Sequence, residues 1–578
     1  MLNYDLLTPY GERLDKNSVL PEYPRPQLRR DGWLNLNGEW DYAINRTGET
    51  GGAPAGRITV PFPLESCLSG VRRALEKDEW LIYTRTFDVP DDFLRDITLL
   101  HIGAVDQLCD VFLNGAPVGS HAGGYLPVTL DVSAAVRPGA NELVVRVRDE
   151  LSELYPTGKQ RAKRGGIWYT PVSGIWQTVW LESVRRGYIR ELRITPDIDR
   201  KCVDIEIDSE ADSFGVTVRA AGAVLLATRE DARRFSLPIT DAQLRLWSPE
   251  DPFLYELTVT APDDTVSSYF AMRKFAAQGR RFFLNNKPYF INGLLDQGYF
   301  SDGIYTPASY DAYRDDILRM KALGFNTLRK HIKLEPMMFY HLCDTLGMLV
   351  LQDMVNIGRY SFLKDSGLPF AGFRRHIPYV NVNKRQRENF TAHSLAVARQ
   401  LYSAPCVVYY TIFNEGWGQF PGDALYDALK AADPGRVYDT TSGWFHVGRT
   451  DVTSEHVYFR PIELRGSDRP LIVSEFGGYS FDCPGHIFNT EHHYGYRHYT
   501  DRQKLEDDFA ALYENEILPA IRQAGLAGAI YTQVSDVEDE TNGILTYDRR
   551  ECKLDAGRIL PLMRRVCAAG AGEEAPEA

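Results

Sequence analysis

A continuous run of apolar, aromatic and β-branched residues at 407–413 constrains the fold of this chain more than any other stretch. The run passes directly into Asn414, Glu415 and a Gly-Trp-Gly turn. A half-exposed strand alternates apolar and polar residues, whereas a continuous run predicts a parallel strand that is covered on both faces. An amide and a carboxylate at the end of such a strand predict a polar site at one edge of a buried sheet.

A second run further along the chain ends in the same way. Residues 471–475 read Leu-Ile-Val-Ser-Glu, and Phe-Gly-Gly follows them. Either glutamate alone fits a helix cap or a surface charge as well as it fits a catalytic role. Because both follow strands that are too apolar to be exposed, Glu415 and Glu475 together predict paired acid chemistry.

Length and charge exclude several classes of protein. A chain of 578 residues is too long for one hydrophobic core and predicts three or four domains. The net charge of −13 argues against a nucleic acid partner, because nucleic acid binders present a basic patch. No apolar window is long enough to cross a membrane, and no signal peptide is recognisable. The eight cysteines lack paired spacing, as free thiols do in a reducing compartment, so a cytoplasmic location is expected.

Two all-β domains are predicted ahead of the parallel strands. Residues 1–183 contain short alternating segments separated by Asn-Gly and Pro-Gly turns, which predict an antiparallel jelly roll. Near the end of this domain, Trp168 and Tyr169 lie in an aromatic loop that is free to face a site. Residues 184–277 repeat the strand rhythm over a shorter length and predict an immunoglobulin-like β-sandwich without chemistry of its own.

In residues 278–578 the rhythm changes to strands that alternate with helices. Eight β–α repeats are the pattern of a (β/α)8 TIM barrel, whose active site lies at the carboxyl ends of its strands. The tail from Ala568 onward has few apolar residues and is predicted to be disordered. The strand candidates are residues 289–293, 325–329, 348–353, 407–413, 437–441, 453–458, 471–475 and 528–533.

Polar residues cluster where the apolar strand candidates end, which predicts one pocket at the barrel mouth. Two glutamates in such a pocket suit glycoside hydrolysis, in which one protonates the leaving oxygen and the other forms a glycosyl-enzyme. Repulsion between two nearby carboxylates keeps one of them protonated. Asn414 is predicted to hold a 2-hydroxyl group of the sugar, and Tyr458 is predicted to orient Glu475.

Four motifs are spread along the chain: the strand from Trp80, the Ser-Gly-Ile-Trp-Gln-Thr-Val-Trp-Leu-Glu run ending at Glu182, Phe413-Asn-Glu, and Ser474-Glu-Phe-Gly. Together they resemble the motifs of glycoside hydrolase family 2, the β-galactosidase and β-glucuronidase family. The resemblance covers almost the whole chain and implies the domain order jelly roll, immunoglobulin-like sandwich and TIM barrel. It also implies a retaining mechanism with Glu415 as acid/base and Glu475 as nucleophile.

The same resemblance implies sugar contacts from Asp296, after the first barrel strand, and His331, after the second. Trp444 is a further predicted contact. The tryptophan that often ends strand eight in this family is replaced by Thr532-Gln533, so an aromatic platform must come from elsewhere. Clear equivalents of the metal ligands of the large β-galactosidases are missing, and we expect neither a metal nor a cofactor.

The loop after strand eight bears on the substrate. Family glucuronidases hold the substrate carboxylate with an Asn-x-Lys motif there, but this chain has Asn542-Gly-Ile544, preceded by acidic residues 538–540. We therefore expect a terminal neutral β-hexoside, and among these a β-galactoside, unless Arg549 or Arg550 replaces the lysine. A β-glucuronidase, a transglycosylase and a non-catalytic carbohydrate-binding protein remain alternatives, and a homo-oligomer is left open.

Overall fold

The computed structural model describes residues 2–368, 382–445 and 448–573. Two antiparallel β-sandwiches precede a barrel of eight parallel strands, which confirms the predicted fold class. In this part of the chain, no helix combines the length and the apolar character that crossing a bilayer requires.

The first sandwich, the jelly-roll domain, packs a four-stranded sheet against a six-stranded sheet. Alternation along the strands turns every second side chain inward, so Trp40, Tyr83 and Val145 are fully buried between the sheets. In spatial order, the smaller sheet contains Trp33–Asn35, Val179–Val184, Ile97–Ile102 and Val128–Asp131; the larger contains Gly56–Val60, Gly38–Asn45, Trp80–Val89, Gly139–Arg148, Leu108–Leu113 and Ala116–Ala122. Val105–Asp106 pairs separately with Gly174–Ile175, and 3₁₀ turns lie at Gly11–Arg13 and Pro26–Leu28.

The second sandwich is the immunoglobulin-like domain, with sheets of three and four strands around its own core. Phe214, Tyr255 and Val259 are fully buried there. The three-stranded sheet contains Glu191–Asp197, Cys202–Asp208 and Arg234–Pro238; the other contains Ala223–Glu230, Phe214–Ala220, Tyr255–Ala261 and Asp264–Phe270.

The eight barrel strands coincide with the eight predicted candidates, with ends shifted by up to three residues. Parallel ladders join them in the spatial order 5-4-3-2-1-8-7-6. At the remaining seam between the fifth and sixth strands, the Ser454 hydroxyl donates a hydrogen bond to the carbonyl of Thr441. In chain order the strands are Ile291–Asp296, Thr327–Lys330, Leu349–Asp353, Val407–Asn414, Val437–Ser442, Thr453–Val457, Leu471–Gly477 and Leu526–Thr532.

Helices follow six of the barrel strands, so the prediction of eight β–α repeats is wrong in this respect. The described residues contain no helix after the fifth or the sixth strand. Residues 443–452, between these two strands, are too few for an ordinary helical crossover. The barrel helices are Asp311–Ala322, Met337–Leu346, Lys384–Leu401, Asp423–Ala432, Arg502–Leu512, Leu518–Ala524 and Ala556–Ala571, with π-helical turns at Phe362–Gly367 and Tyr513–Ile517.

Local signals set several helix ends. Asn383 and Gln386 form a capping box that begins Lys384–Leu401. Met337–Leu346 ends at Gly347, whose φ of 76° is the left-handed conformation typical of a helix C-terminus. The last helix continues to Ala571, so the predicted disorder from Ala568 is wrong for its first four residues; residues 574–578 lie outside the described part.

A small three-stranded sheet closes the amino-terminal end of the barrel. Its strands are Phe275–Gln278, Arg281–Leu284 and Lys287–Tyr289. Phe282 belongs to the same buried cluster as Leu351 and Tyr409 of the barrel strands. The opposite, carboxyl end of the barrel is where the polar side chains predicted from the strand ends lie.

Candidate active site

Glu415 and Glu475 meet at the carboxyl end of the barrel. Glu415 directly follows the fourth strand, and Glu475 lies in the seventh. His456, from the sixth strand, lies beside both. One ligand-type atom from each of these three side chains lies within 4.8 Å of the others. The fold therefore brings the two predicted carboxylates together in one cluster, in which Glu475 is buried and Glu415 is partly exposed.

The backbone at Glu415 has an uncommon conformation. Its φ of 55° lies in the left-handed region, which side chains other than glycine adopt rarely. The Glu415 amide donates to the carbonyl of Ser442 at 2.9 Å. The next residue, Gly416, also has a positive φ, and a Cβ there would lie 2.5 Å from the Phe445 ring. Glycine is therefore required at position 416.

The environment of Glu415 favours the protonated acid. Burial raises the pKa of Glu415 to about 7, although the charges of Lys159 and Arg329 oppose the shift. One carboxylate oxygen, Oε1, lies 2.7 Å from Nδ1 of His456. A carboxyl group with such a pKa can both release and accept a proton near neutral pH.

Glu475 has more donors around it than Glu415 has. Arg329 donates to Oε1 at 3.1 Å, and the Tyr458 hydroxyl donates to Oε2 at 2.9 Å. Burial raises the pKa of Glu475 and Glu415 adds to the shift, whereas His456 and Arg329 oppose it. Hydrogen bonds to the oxygens stabilise the ionised form of a carboxylate. Of the two glutamates, Glu475 is thus the better held as an anion.

Arg329 connects the end of the second strand to the third, fourth and seventh strands. Its guanidinium is fully buried and donates to Asp353 at 3.0 Å and to the Oδ1 atom of Asn414 at 2.9 Å. It also donates to the carbonyl of Ser474 at 2.8 Å. Because one planar group satisfies all these acceptors, it fixes their mutual positions.

His456 is the contact residue that the sequence analysis missed. The register between the sixth and seventh strands shifts at this residue, so that His456 pairs directly with Glu475. Burial lowers the pKa of His456 to about 4, so the imidazole is neutral. Its Nε2 atom lies 3.0 Å from the Ser442 hydroxyl. Its position at a strand end was the only signal in the sequence.

Of the predicted substrate contacts, Tyr458 touches Glu475 directly, Asn414 shares Arg329 with it, and His331 is connected through Asp353. Because Arg329 occupies the amide oxygen of Asn414, the NH₂ group is the part of that side chain left to donate. His331 places Nδ1 2.7 Å from Asp353, and the Tyr458 ring stacks on Tyr496 at 3.8 Å between centroids. The predicted hydrogen bond from Tyr458 to Glu475 is present.

Trp444 is also near the cluster. Its ring packs edge-on against the imidazole of His456, with 5.4 Å between centroids. The indole N–H donates to the carbonyl of Asp365 at 2.8 Å. Its buried ring therefore supports His456, and the N–H is already used within the protein.

Asp296 is not brought to the carboxylate cluster. Its carboxylate lies 2.7 Å from the Lys330 ammonium and accepts the amide of Gly298 at 2.9 Å. The same ammonium lies over the Phe339 ring, which belongs to a barrel helix. Alternation along a strand turns neighbouring side chains to opposite faces, and Asp296 lies on the helix-facing side. This arrangement does not support its predicted role as a sugar ligand.

An aromatic wall at the mouth comes partly from the jelly-roll domain. Trp168 packs edge-on against Trp417, which follows Glu415 by two residues, and against Tyr360; the centroid distances are 5.0 and 4.9 Å. Tyr169 is buried instead, and its hydroxyl donates to Glu540. These rings are a candidate for the aromatic platform that the sequence lacks at the end of strand eight.

In the described residues, Glu415, His456 and Glu475 form the one group with three clustered potential metal ligands. A metal ion on these atoms would occupy both carboxylates and so compete with acid chemistry. Among the other histidines, His493 instead forms a pair with Asp482 at 3.0 Å. The expectation that no metal is needed stays a prediction.

Comparisons with known proteins agree with this architecture. The sequence is 25% identical to a β-galactosidase from Aeromonas hydrophila subsp. hydrophila, over 87% of this chain and 52% of that protein. The chain thus spans about half the length of this curated relative. The fold matches a β-glucuronidase from an uncultured Clostridium with a TM-score of 0.73 at 17% identity, covering 93% of this chain and 99% of that one. A family 2 β-galacturonidase from Eisenbergiella tayi, bound to galacturonate, matches with a TM-score of 0.68 at 19% identity, covering 94% and 99%.

Three family models match consecutive parts of the chain. Residues 56–191 match the glycosyl hydrolase 2 galactose-binding domain-like model, and residues 187–273 match the glycosyl hydrolases family 2 model. Residues 275–551 match the glycosyl hydrolases family 2 TIM barrel domain. The three matches follow the same order as the two sandwiches and the barrel, so this chain belongs to glycosyl hydrolase family 2.

Proposed function

We propose that the protein is a retaining, exo-acting β-glycosidase that works through a covalent glycosyl-enzyme. The observation that carries this proposal is the close approach of Glu415 and Glu475, with carboxylate oxygens within 4.8 Å of each other. Retaining enzymes have carboxyl groups about 5–5.5 Å apart, whereas inverting enzymes leave about 6.5–9.5 Å for a water molecule. The β-configuration is taken from the names of the relatives.

In this proposal Glu475 is the nucleophile and Glu415 the acid/base. An oxygen of Glu475 attacks the anomeric carbon while the bond to the leaving oxygen breaks and Glu415 protonates that oxygen. Water then attacks the anomeric carbon, Glu415 takes a proton from it, and the ester to Glu475 breaks. The donors on Glu475 suit an ionised nucleophile, and the raised pKa of Glu415 suits a proton donor. Asn414 is proposed to bind the 2-hydroxyl group through its NH₂ group, which is supported by the use of its Oδ1 atom as the acceptor for Arg329.

The pH dependence of kcat/KM should report the pKa of Glu415. Because that pKa is raised to about 7, the acid form is present below pH 7 and is lost above it. We expect kcat/KM for an alkyl β-glycoside to fall about tenfold per pH unit on the alkaline side. A 2,4-dinitrophenyl glycoside, whose leaving group needs no proton, should show a much weaker alkaline fall. Equal alkaline falls for both substrates would contradict the role of Glu415 as acid.

For the substrate we propose a terminal neutral β-hexoside, and among these a β-galactoside. The loop after strand eight has Ile544 where family glucuronidases have a lysine. Arg549 does not replace it, because its guanidinium pairs with Asp316 at 3.0 Å and donates to the carbonyl of Tyr299. Arg550 instead pairs with Glu12 at 2.6 Å. The β-galactosidase relative supports galactose over other hexoses.

The acidic residues 538–540 do not add support for a neutral substrate, because their charges are not available to repel a substrate carboxylate. Glu538 and Asp539 both pair with Arg164, at 3.3 and 2.8 Å. Glu540 accepts the hydroxyl of Tyr169. These carboxylates are held within the protein, so the choice of a neutral sugar rests on the missing lysine alone.

Comparing two aryl glycosides tests the substrate proposal. We expect kcat/KM for 4-nitrophenyl β-galactoside to exceed that for 4-nitrophenyl β-glucuronide by at least about tenfold, which corresponds to one net hydrogen bond to a charged group. Both substrates release 4-nitrophenol, so a difference in kcat/KM reflects recognition of the sugar. A clear preference for the glucuronide would overturn the neutral assignment, while leaving the retaining mechanism in place.

A further inference from the structure

The imidazole of His456 is packed so that each ring nitrogen faces defined partners. Its side chain has no exposed surface, and the Trp444 ring packs edge-on against it. Gly443 has a φ of 97°, and a Cβ there would lie 2.8 Å from both Cγ and Nδ1 of the imidazole. A flipped ring would turn carbon atoms toward Glu415 and Ser442, so the contacts of its nitrogens also fix the ring orientation.

The partners of Nε2 favour a ring nitrogen without a proton. Nη1 of Arg329 lies 3.5 Å from Nε2, and a guanidinium group can only donate. The Ser442 hydroxyl, 3.0 Å from Nε2, can donate to it and can itself accept from the Ser474 hydroxyl at 2.8 Å. A proton on Nε2 would point toward the Arg329 donor. Because a neutral imidazole carries one proton, these contacts place it on Nδ1.

The surroundings of Nδ1 lead to the same tautomer independently. Nδ1 lies 2.7 Å from Oε1 of Glu415 and 3.5 Å from Oε2 of Glu475. An ionised carboxylate can only accept a hydrogen bond, and Glu475 is held in that form by donors from Arg329 and Tyr458. An N–H at Nδ1 therefore faces two acceptors, whereas a lone pair there would face the Glu475 anion.

The two oxygens of the Glu415 carboxyl group then have different roles. Oε1 accepts the Nδ1–H of His456 at 2.7 Å. Oε2 has no hydrogen-bond partner within the part of the chain that the structure describes, and the Glu415 side chain is 17% exposed. An oxygen that accepts from an N–H cannot direct a proton of its own toward that nitrogen. Oε2 is therefore the oxygen that carries the proton and that is left for the substrate.

We infer that His456 is a positioning residue that holds the acidic proton of Glu415 on Oε2 by donating its own Nδ1–H to Oε1. The inference rests on the proposed β-glycosidase function and assigns the atom from which the leaving oxygen is protonated. When Oε2 gives its proton to that oxygen, Glu415 becomes an anion, and the same Nδ1–H stabilises it. The attacking water later returns a proton to Oε2. In the other tautomer, Glu415 would donate from Oε1 to Nδ1, and its proton would be held away from the substrate.

The test compares His456→Gln with His456→Asn. The NH₂ group of asparagine can lie where Nδ1 lies and donate to Glu415, whereas glutamine reaches the place of Nε2. We expect H456Q to lower kcat/KM for an alkyl β-glycoside by about 10- to 100-fold, the range for a hydrogen bond to a charged group. The loss should be much smaller for a 2,4-dinitrophenyl glycoside, and H456N should recover most of it. The matched control is His492→Asn, at an exposed position after the seventh strand, which should keep full activity.

The tautomer itself can be observed without turnover. A long-range ¹H–¹⁵N correlation spectrum of histidine-labelled wild type, with the His456 signals identified by their loss in H456N, should show Nδ1 protonated and Nε2 not. A proton on Nε2, equal losses in H456Q and H456N, or equal losses on the alkyl and dinitrophenyl substrates would overturn the inference. If the wild type hydrolyses no β-glycoside, the proposed function fails, and the spectrum still decides whether His456 donates to Glu415.

Discussion

Glu475→Gln is expected to lower kcat by about 10⁵- to 10⁶-fold on every β-glycoside that the wild type hydrolyses, the scale of losing a nucleophile. Glutamine has nearly the same shape, and its oxygen can still accept from Arg329 or Tyr458. Its neutral amide cannot form the ester of the glycosyl-enzyme, so the loss falls on the chemical step. Steady-state kinetics with 4-nitrophenyl β-galactoside measure it.

Covalent labelling checks the same assignment independently. A 2-fluoro β-glycoside inactivator should label Glu475 in the wild type, and peptide mapping should find the label there. The matched control is Glu463→Gln, which makes the same change at an exposed position in the loop after the sixth strand and should keep full activity. A label on any other residue would reject Glu475 as the nucleophile.

Glu415→Ala should slow the hydrolysis of substrates with poor leaving groups by about 10² to 10⁴-fold, the usual contribution of general acid catalysis. The loss should be much smaller in the first step with activated aryl glycosides, because a weakly basic leaving oxygen departs without a proton. The measurement is kcat/KM for a series of glycosides whose leaving groups differ in pKa, made on the wild type and on the variant. We expect kcat/KM to fall more steeply with increasing leaving-group pKa in the variant.

Azide provides the control for Glu415→Ala. The small anion can enter the space left by the carboxylate and attack the glycosyl-enzyme without base assistance, so it should restore turnover of the aryl substrate. The product of a retaining enzyme is the β-glycosyl azide. Equal losses on good and poor leaving groups, or formation of the α-azide, would contradict the proposed roles.

The barrel was predictable because each strand carries its own signal. The runs at 407–413 and 471–475 are too apolar for an exposed strand, and both prove to be buried barrel strands. Neither the fifth nor the sixth strand carries a signal for the absence of a helix between them in the described residues, because that absence depends on the short connection. Strand identity is a local property, whereas the covering of a strand by a helix depends on the length of the connection to the next strand.

The sequence by itself determined the fold class, the family and the positions of Glu415 and Glu475, because these depend on short apolar runs and the residues that end them. Only the tertiary structure decided their neighbours. A register shift between two strands puts His456 beside Glu475, and strand alternation turns Asp296 toward the helices. Trp168 lies against Trp417 because another domain docks on the barrel, and such a contact between distant parts of the chain has no local pattern.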